Sequence, residues 1–183
     1  MYELLKKSFM ESPVIDRGGY PYFVNPISDG VPRVEPALLE EVIDGIIDIG
    51  DFQCDVILAP EAMGIPLAVP ISLRLGIPYS IIRKRRYGLP GEIELNRSTG
   101  YSSGDLYING LVRGDKVVVI EDTLSTGGTV RALASALASH GIELMEVITV
   151  FDKTGNLDTA VSGISVKAML RVGIKDGKPF LDC

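Results

Sequence analysis

The chain has 183 residues, 46% of them hydrophobic and 23% charged, the proportions of an ordinary globular protein long enough to bury one full core. A formal net charge of −6 and a pI of about 4.8 leave no electrostatic footprint for a general nucleic-acid binder and disfavour an anionic membrane surface. The expectation is one domain over residues 1–183, with neither nucleic acid nor membrane as partner.

In chain order, Met1–Glu11 reads as a short amphipathic helix with Leu4, Leu5 and Phe9 on one side. Gly18–Pro36 is dense in Gly, Pro and Asn, with brief extended pieces such as Tyr22–Val24, so residues 1–36 are expected to form a hood over the domain. Pro36 opens a helix whose apolar Leu38, Leu39, Val42, Ile43, Ile46 and Ile47 recur at helical spacing, and Gly50 ends it. The pattern then alternates. Strands are expected at Asp55–Ala59, Tyr79–Ile82, Lys116–Ile120, Leu144–Phe151 and Val166–Arg171, with Lys178–Leu181 returning antiparallel. Helices are expected at Gly64–Leu75, Gly128–Ser139 and Asn156–Val161. Residues 84–105 carry five glycines and prolines in loop contexts and read as a long flexible lid loop. Short apolar strands without alternation, separated by amphipathic helices, define an α/β fold with a mainly parallel sheet covered on both faces. Ligands in such folds bind beyond the carboxyl ends of the strands, where the strand order reverses.

Few residues are available for nucleophilic or metal chemistry. His140 is the single histidine; it precedes Gly141 at an expected helix end, where a cap is its ordinary role. Cys54 and Cys183 read as reduced thiols, and no apolar run approaches the roughly 20 residues of a membrane span. No N-terminal segment reads as a signal peptide. The expected location is cytoplasmic.

The stretch Val117–Thr129, VVVIEDTLSTGGT, carries the chemistry. A buried strand ends in Glu121 and Asp122; Thr123, Leu124, Ser125, Thr126, Gly127, Gly128 and Thr129 follow, and a helix begins. Successive backbone N–H groups in such a loop form an anion nest, and the helix N-terminus adds partial positive charge. The acids beside an anion site make sense if the ligand interposes vicinal hydroxyls or a divalent cation, as a ribose 5-phosphate does. No Gly-Lys-Ser/Thr is present, which excludes a Walker A loop, and there is no GxGxxG.

This segment resembles the signature by which type I phosphoribosyltransferases bind phosphoribosyl pyrophosphate (PRPP). The blocks EAMGIPLA, RKRRYGLPGE and GYSSGDLYING extend the likeness over nearly the whole chain. They are most similar to the archaeal hypoxanthine/guanine members of the adenine phosphoribosyltransferase-like branch. The resemblance implies purine salvage, with PRPP and a purine base as substrates, and Mg²⁺ held through substrate and water rather than by a protein cluster. It implies a homodimer. Residues Glu121–Thr129 would bind PRPP, with Glu121, Asp122 and Lys84 as the catalytic candidates. Glu61, Ala62, Met63 and Gly64, with Arg83, Lys84 and Tyr101, would hold the pyrophosphate. Arg83 to Arg86 would by themselves read as a solvated face; the long loop beside them and a highly charged leaving group argue for a ligand.

For the base, Leu124, Phe151 and Lys153 are the candidates, Lys153 as a donor to a 6-oxo group. Two departures from the adenine enzymes stand out: Met63 where they carry arginine, and Gly100 where they carry glutamate before the lid tyrosine. Their acid–base assignment therefore does not transfer, and Glu92, Glu94 and Asp122 stay open for that role. Adenine transfer and a non-catalytic PRPP sensor are the alternative functions.

Overall fold

A computed structural model describes residues 1–98, 103–155, 157 and 163–182. The chain opens with α1 (Glu3–Met10), the small hairpin β1 (Val14–Asp16) and β2 (Pro21–Phe23), α2 (Pro26–Asp29) and α3 (Pro36–Ile49). Then come β3 (Val56–Pro60), α4 (Gly64–Leu75), β4 (Tyr79–Ile82), and a second hairpin, β5 (Ile93–Ser98) with β6 (Ser103–Ile108). The remainder is β7 (Lys116–Leu124), α5 (Gly128–Ser139), β8 (Glu143–Asp152), β9 (Val166–Lys175) and β10 (Lys178–Leu181). The expected helix at Asn156–Val161 lies outside the described residues apart from Leu157.

A six-stranded sheet in the order β10-β9-β8-β7-β3-β4 is parallel except for β10, which pairs antiparallel with β9. Strand periodicity sorts its residues to two cores. Ile57, Ala59, Val118 and Ile120 face one core with α1, α3 and α4, whereas Leu58, Val117 and Val119 face the other with α5 and the β5–β6 hairpin. Both faces are covered, which is why these strands are apolar throughout.

Three expectations change. Residues 84–105 are not one structureless loop: β5 and β6 pair antiparallel, and Leu95, Leu106 and Ile108 are buried. The alternation Ile93/Leu95 and Leu106/Ile108 is a strand signal that the surrounding glycines and prolines obscure. Secondly, β7 runs on to Leu124, so the acids Glu121 and Asp122 belong to the strand itself, with Glu121 opposite Thr149 of β8. Lastly, the N-terminal hood contributes to the core. Leu5, Phe9, Phe23 and Ile27 are buried, while Leu4 is exposed. Asn25 fastens this region: its side chain accepts from the Ile27 N–H at the start of α2 and donates to Ser12 Oγ of the α1 end at 2.9 Å.

Candidate active site

The strand order reverses between β3 and β7, and a cavity of about 450 Å³ opens there, within the range of small-molecule sites. Its floor is Glu121, Thr123 and Leu124 of β7 with the following Ser125–Val130; Pro60 at the end of β3, Glu61 after it, Ile82 of β4 and Leu106 of β6 form one side. Lys153, just past β8, and Arg17, Tyr20 and Tyr22 of the hood form the other.

The Ser125–Thr129 turn is built as the sequence predicts. Gly127 adopts φ 70°, ψ 0°, a left-handed conformation that costs other residues energy, and it caps α5 without a side chain in the way. The Thr126 carbonyl accepts from Arg131 Nη1 at 3.3 Å, and Gly127 O accepts the Arg131 N–H at 3.0 Å, closing the first helical turn. The first residues of this 12-residue helix, Gly128, Thr129 and Val130, line the cavity, and a helix N-terminus favours an anion.

Glu121 lines the cavity, and Asp122 lies next to it, beneath the hood. Burial pushes the Asp122 carboxyl up to about 6, against the lowering effect of its hydrogen bond with Glu121; the nearby Asp29 carboxylate raises it further. Among the described residues no lysine or arginine forms an ion pair with Asp122. A buried acid without a cation is relieved by hydroxyl donors or a divalent ion.

The turn after β3 is a tight fit. The Glu61–Ala62 peptide bond is cis. A Cβ on Gly64 would come within 2.7 Å of the Ile120 carbonyl oxygen, so glycine lets the start of α4 lie directly on β7. Met63 points toward Gly30 of the hood. Glu61 reaches across to β4: its carboxylate accepts the Lys84 N–H at 3.0 Å and lies 3.6 Å from Arg83 Nη1. Of the residues expected around pyrophosphate, Glu61 is on the cavity wall, while Ala62, Met63, Gly64, Arg83 and Lys84 lie behind or beside it. Tyr101 lies outside the described residues.

The base candidates separate. Leu124 and Lys153 line the cavity. Phe151 is wholly buried between Phe9 and Phe23, with ring centroids 5.6 and 5.4 Å away, so its ring serves the core and does not face the cavity. Neither Glu92 nor Glu94 is on the cavity wall. Glu92 instead accepts from Tyr87 N, Gly88 N and Asn109 Nδ2, and its carboxyl is lowered chiefly by Asn109: it clasps the turn before β5.

Sequence reading missed the hood side of the site. Arg17 lies over the Tyr22 ring at 4.3 Å, Tyr22 donates to Asp29 at 2.6 Å, and Lys153 Nζ donates to the Tyr20 hydroxyl at 2.8 Å. The signal was the run Tyr20-Pro21-Tyr22-Phe23, an aromatic cluster in a segment otherwise of turn residues.

A family model for the phosphoribosyl transferase domain matches residues 36–167, and the chain belongs to that family. Among its relatives, it is 48% identical to a hypoxanthine/guanine phosphoribosyltransferase of Methanohalophilus mahii, over 100% of this chain and 97% of that protein. It is 50% identical to the protein of the same name from Methanosarcina acetivorans, over 96% of this chain and 94% of the relative. Solved structures share the fold at lower identity. An adenine phosphoribosyltransferase from Thermoanaerobacter pseudethanolicus superposes with a TM-score of 0.78 at 23% identity, covering 93% of this chain and 99% of that one. The Saccharomyces cerevisiae enzyme, solved with an imino-altritol bisphosphate and adenine, gives 0.72 at 22% identity over 92% and 98%.

Proposed function

We propose that the chain transfers the 5-phosphoribosyl group of PRPP to hypoxanthine and guanine, giving IMP or GMP and pyrophosphate, and that it does so in the cytoplasm as a homodimer. The observation that carries this reading is the meeting, on one cavity, of the Ser125–Thr129 turn, Glu121 and Lys153, with the buried Asp122 hydrogen-bonded to Glu121 beside it. The turn suits the 5-phosphate, the acids suit the ribose hydroxyls, and the ammonium suits a base that presents an acceptor.

In the reaction a ring nitrogen of the base forms the bond to C1′ as the bond from C1′ to the pyrophosphate oxygen breaks. The pyrophosphate leaves with that electron pair, and the imidazole ring of the base gives up one proton, to an oxygen of the departing pyrophosphate or to water. The loop amides fix the phosphate, and the two acids accept hydrogen bonds from the 2′- and 3′-hydroxyls, so the ribose is oriented before reaction. Leu124 offers an apolar surface to the purine face, and Lys153 donates to its 6-oxo edge. The hood excludes water from a carbon that would otherwise be hydrolysed.

The donor set also fits Mg²⁺. Glu121 and Asp122 would hold it through water and substrate oxygens, since this ion keeps several waters and takes few protein ligands. When bound it would neutralise the leaving pyrophosphate. Turnover of hypoxanthine, guanine and adenine with PRPP and Mg²⁺ tests the reading: IMP and GMP should form at least about tenfold faster than AMP at equal base. Preferential AMP formation would make this an adenine enzyme, and PRPP binding without pyrophosphate release from any base would make it a sensor.

A further inference from the structure

Lys153 is fixed at both ends. Its own N–H donates to the Leu124 carbonyl at 2.8 Å, tying the end of β8 to the start of the phosphate loop. The preceding Asp152 is wholly buried, and its Oδ1 accepts from the Thr154 N–H at 2.8 Å and from Thr154 Oγ1 at 2.6 Å, which sets the turn that delivers Lys153 to the cavity. At the far end, Nζ donates to the Tyr20 hydroxyl oxygen at 2.8 Å. The rings of Tyr20 and Phe23 lie 4.8 and 5.0 Å from the same nitrogen, with Tyr22 at 6.0 Å. Ring faces attract the cation and displace water from it.

We propose that Tyr20 is a specificity-determining positioning residue, whose hydroxyl holds the Lys153 ammonium where it selects a 6-oxopurine over a 6-aminopurine. The proposal rests on the reading of Lys153 given above. An ammonium has three donors and no acceptor. With one N–H engaged by Tyr20, the others project from a fixed origin toward the base. A 6-oxopurine presents two acceptors on that edge, the 6-oxo oxygen and N7. Adenine places an amino donor at position 6, which faces the ammonium donor to donor. A free lysine could swing away from that clash and stay hydrated, since its side chain has about 2 kcal/mol of rotamer entropy to recover. Held by Tyr20, it cannot, and the wrong base meets a buried mismatch.

The placement of Tyr20 follows from the hood. The tip between β1 and β2 is closed by Arg17 N–H to Tyr20 O at 2.9 Å and Gly19 N–H to Asp16 Oδ1 at 2.6 Å. Three residues beyond Tyr20, Phe23 is anchored in the core against Phe9 and Phe151. The hood therefore acts on base choice as well as on water.

The test is calorimetric binding of IMP and AMP to the full chain, to Tyr20→Phe, to Lys153→Met and to the double variant. Tyr20→Phe keeps the ring and removes only the hydroxyl. It should weaken IMP about tenfold while AMP changes less than about twofold, and its effect on IMP should vanish in the Lys153→Met background. Equal weakening of both nucleotides, no change in either, or an undiminished effect of Tyr20→Phe without Lys153 would overturn the role of Tyr20. If Lys153→Met keeps the preference for IMP, the reading of Lys153 fails and Tyr20 with it; if only Tyr20→Phe is silent, Lys153 stands alone.

Discussion

Asp122 is a buried carboxyl with no lysine or arginine paired to it among the described residues. Burial raises its carboxyl from 3.8 to about 6, so the folded chain holds a proton that the unfolded chain releases between those values. Its contribution to stability is therefore greatest below about pH 4, falls between about pH 4 and 6, and is flat above, with an upper bound of about 3 kcal/mol on the loss. Asp122→Asn removes this dependence. Urea midpoints at pH 5 and 7 should differ for the parent chain and coincide for the variant, apart from the contributions of other groups common to both. The same substitution removes an acceptor for a ribose hydroxyl and should cut kcat/KM for PRPP by about a hundredfold or more while the variant stays folded. Unchanged kinetics would move the ribose elsewhere.

Elements position these residues through close contacts of backbone on backbone. The start of α4 rests on β7 at Gly64, where an added methyl would meet the Ile120 carbonyl at 2.7 Å, one residue before Glu121. Gly64→Ala should destabilise the fold by about 2 kcal/mol and displace the end of β7, lowering activity even in the protein that remains folded. A variant as stable and as active as the parent would show that this approach is not needed. Here the sequence was readable to different depths. The boundaries of α4, β4, α5 and β10 follow from Pro, Gly and apolar spacing, and the phosphate turn from its Gly-Gly between strand and helix. The β5–β6 hairpin was hidden because its alternation spans only a few residues beside Gly-rich turns. Phe151 is ambiguous in sequence because a strand's last aromatic can face either the ligand or the core, and only the positions of Phe9 and Phe23, far away in sequence, decide for the core. Tyr20 and Arg17 are hidden for the same reason: the hood folds back over residues more than a hundred positions later, and nothing local announces it.

For the molecule as a whole, a chain of net charge −6 must take up a substrate bearing several phosphates. On the proposed reading it would do so locally, with main-chain amides and a helix terminus in place of a basic cleft, and with the acids turned to the hydroxyls. The sheet order makes this possible, because the reversal between β3 and β7 brings the turn after β3, the phosphate turn and the Lys153 corner to one end of the sheet. A crystal structure of the chain with IMP tests this arrangement directly. The 5′-phosphate should lie on the Ser125–Thr129 amides, the ribose hydroxyls on Glu121 and Asp122, and the 6-oxo oxygen within hydrogen-bonding distance of Lys153 Nζ. A phosphate bound away from that turn would contradict it.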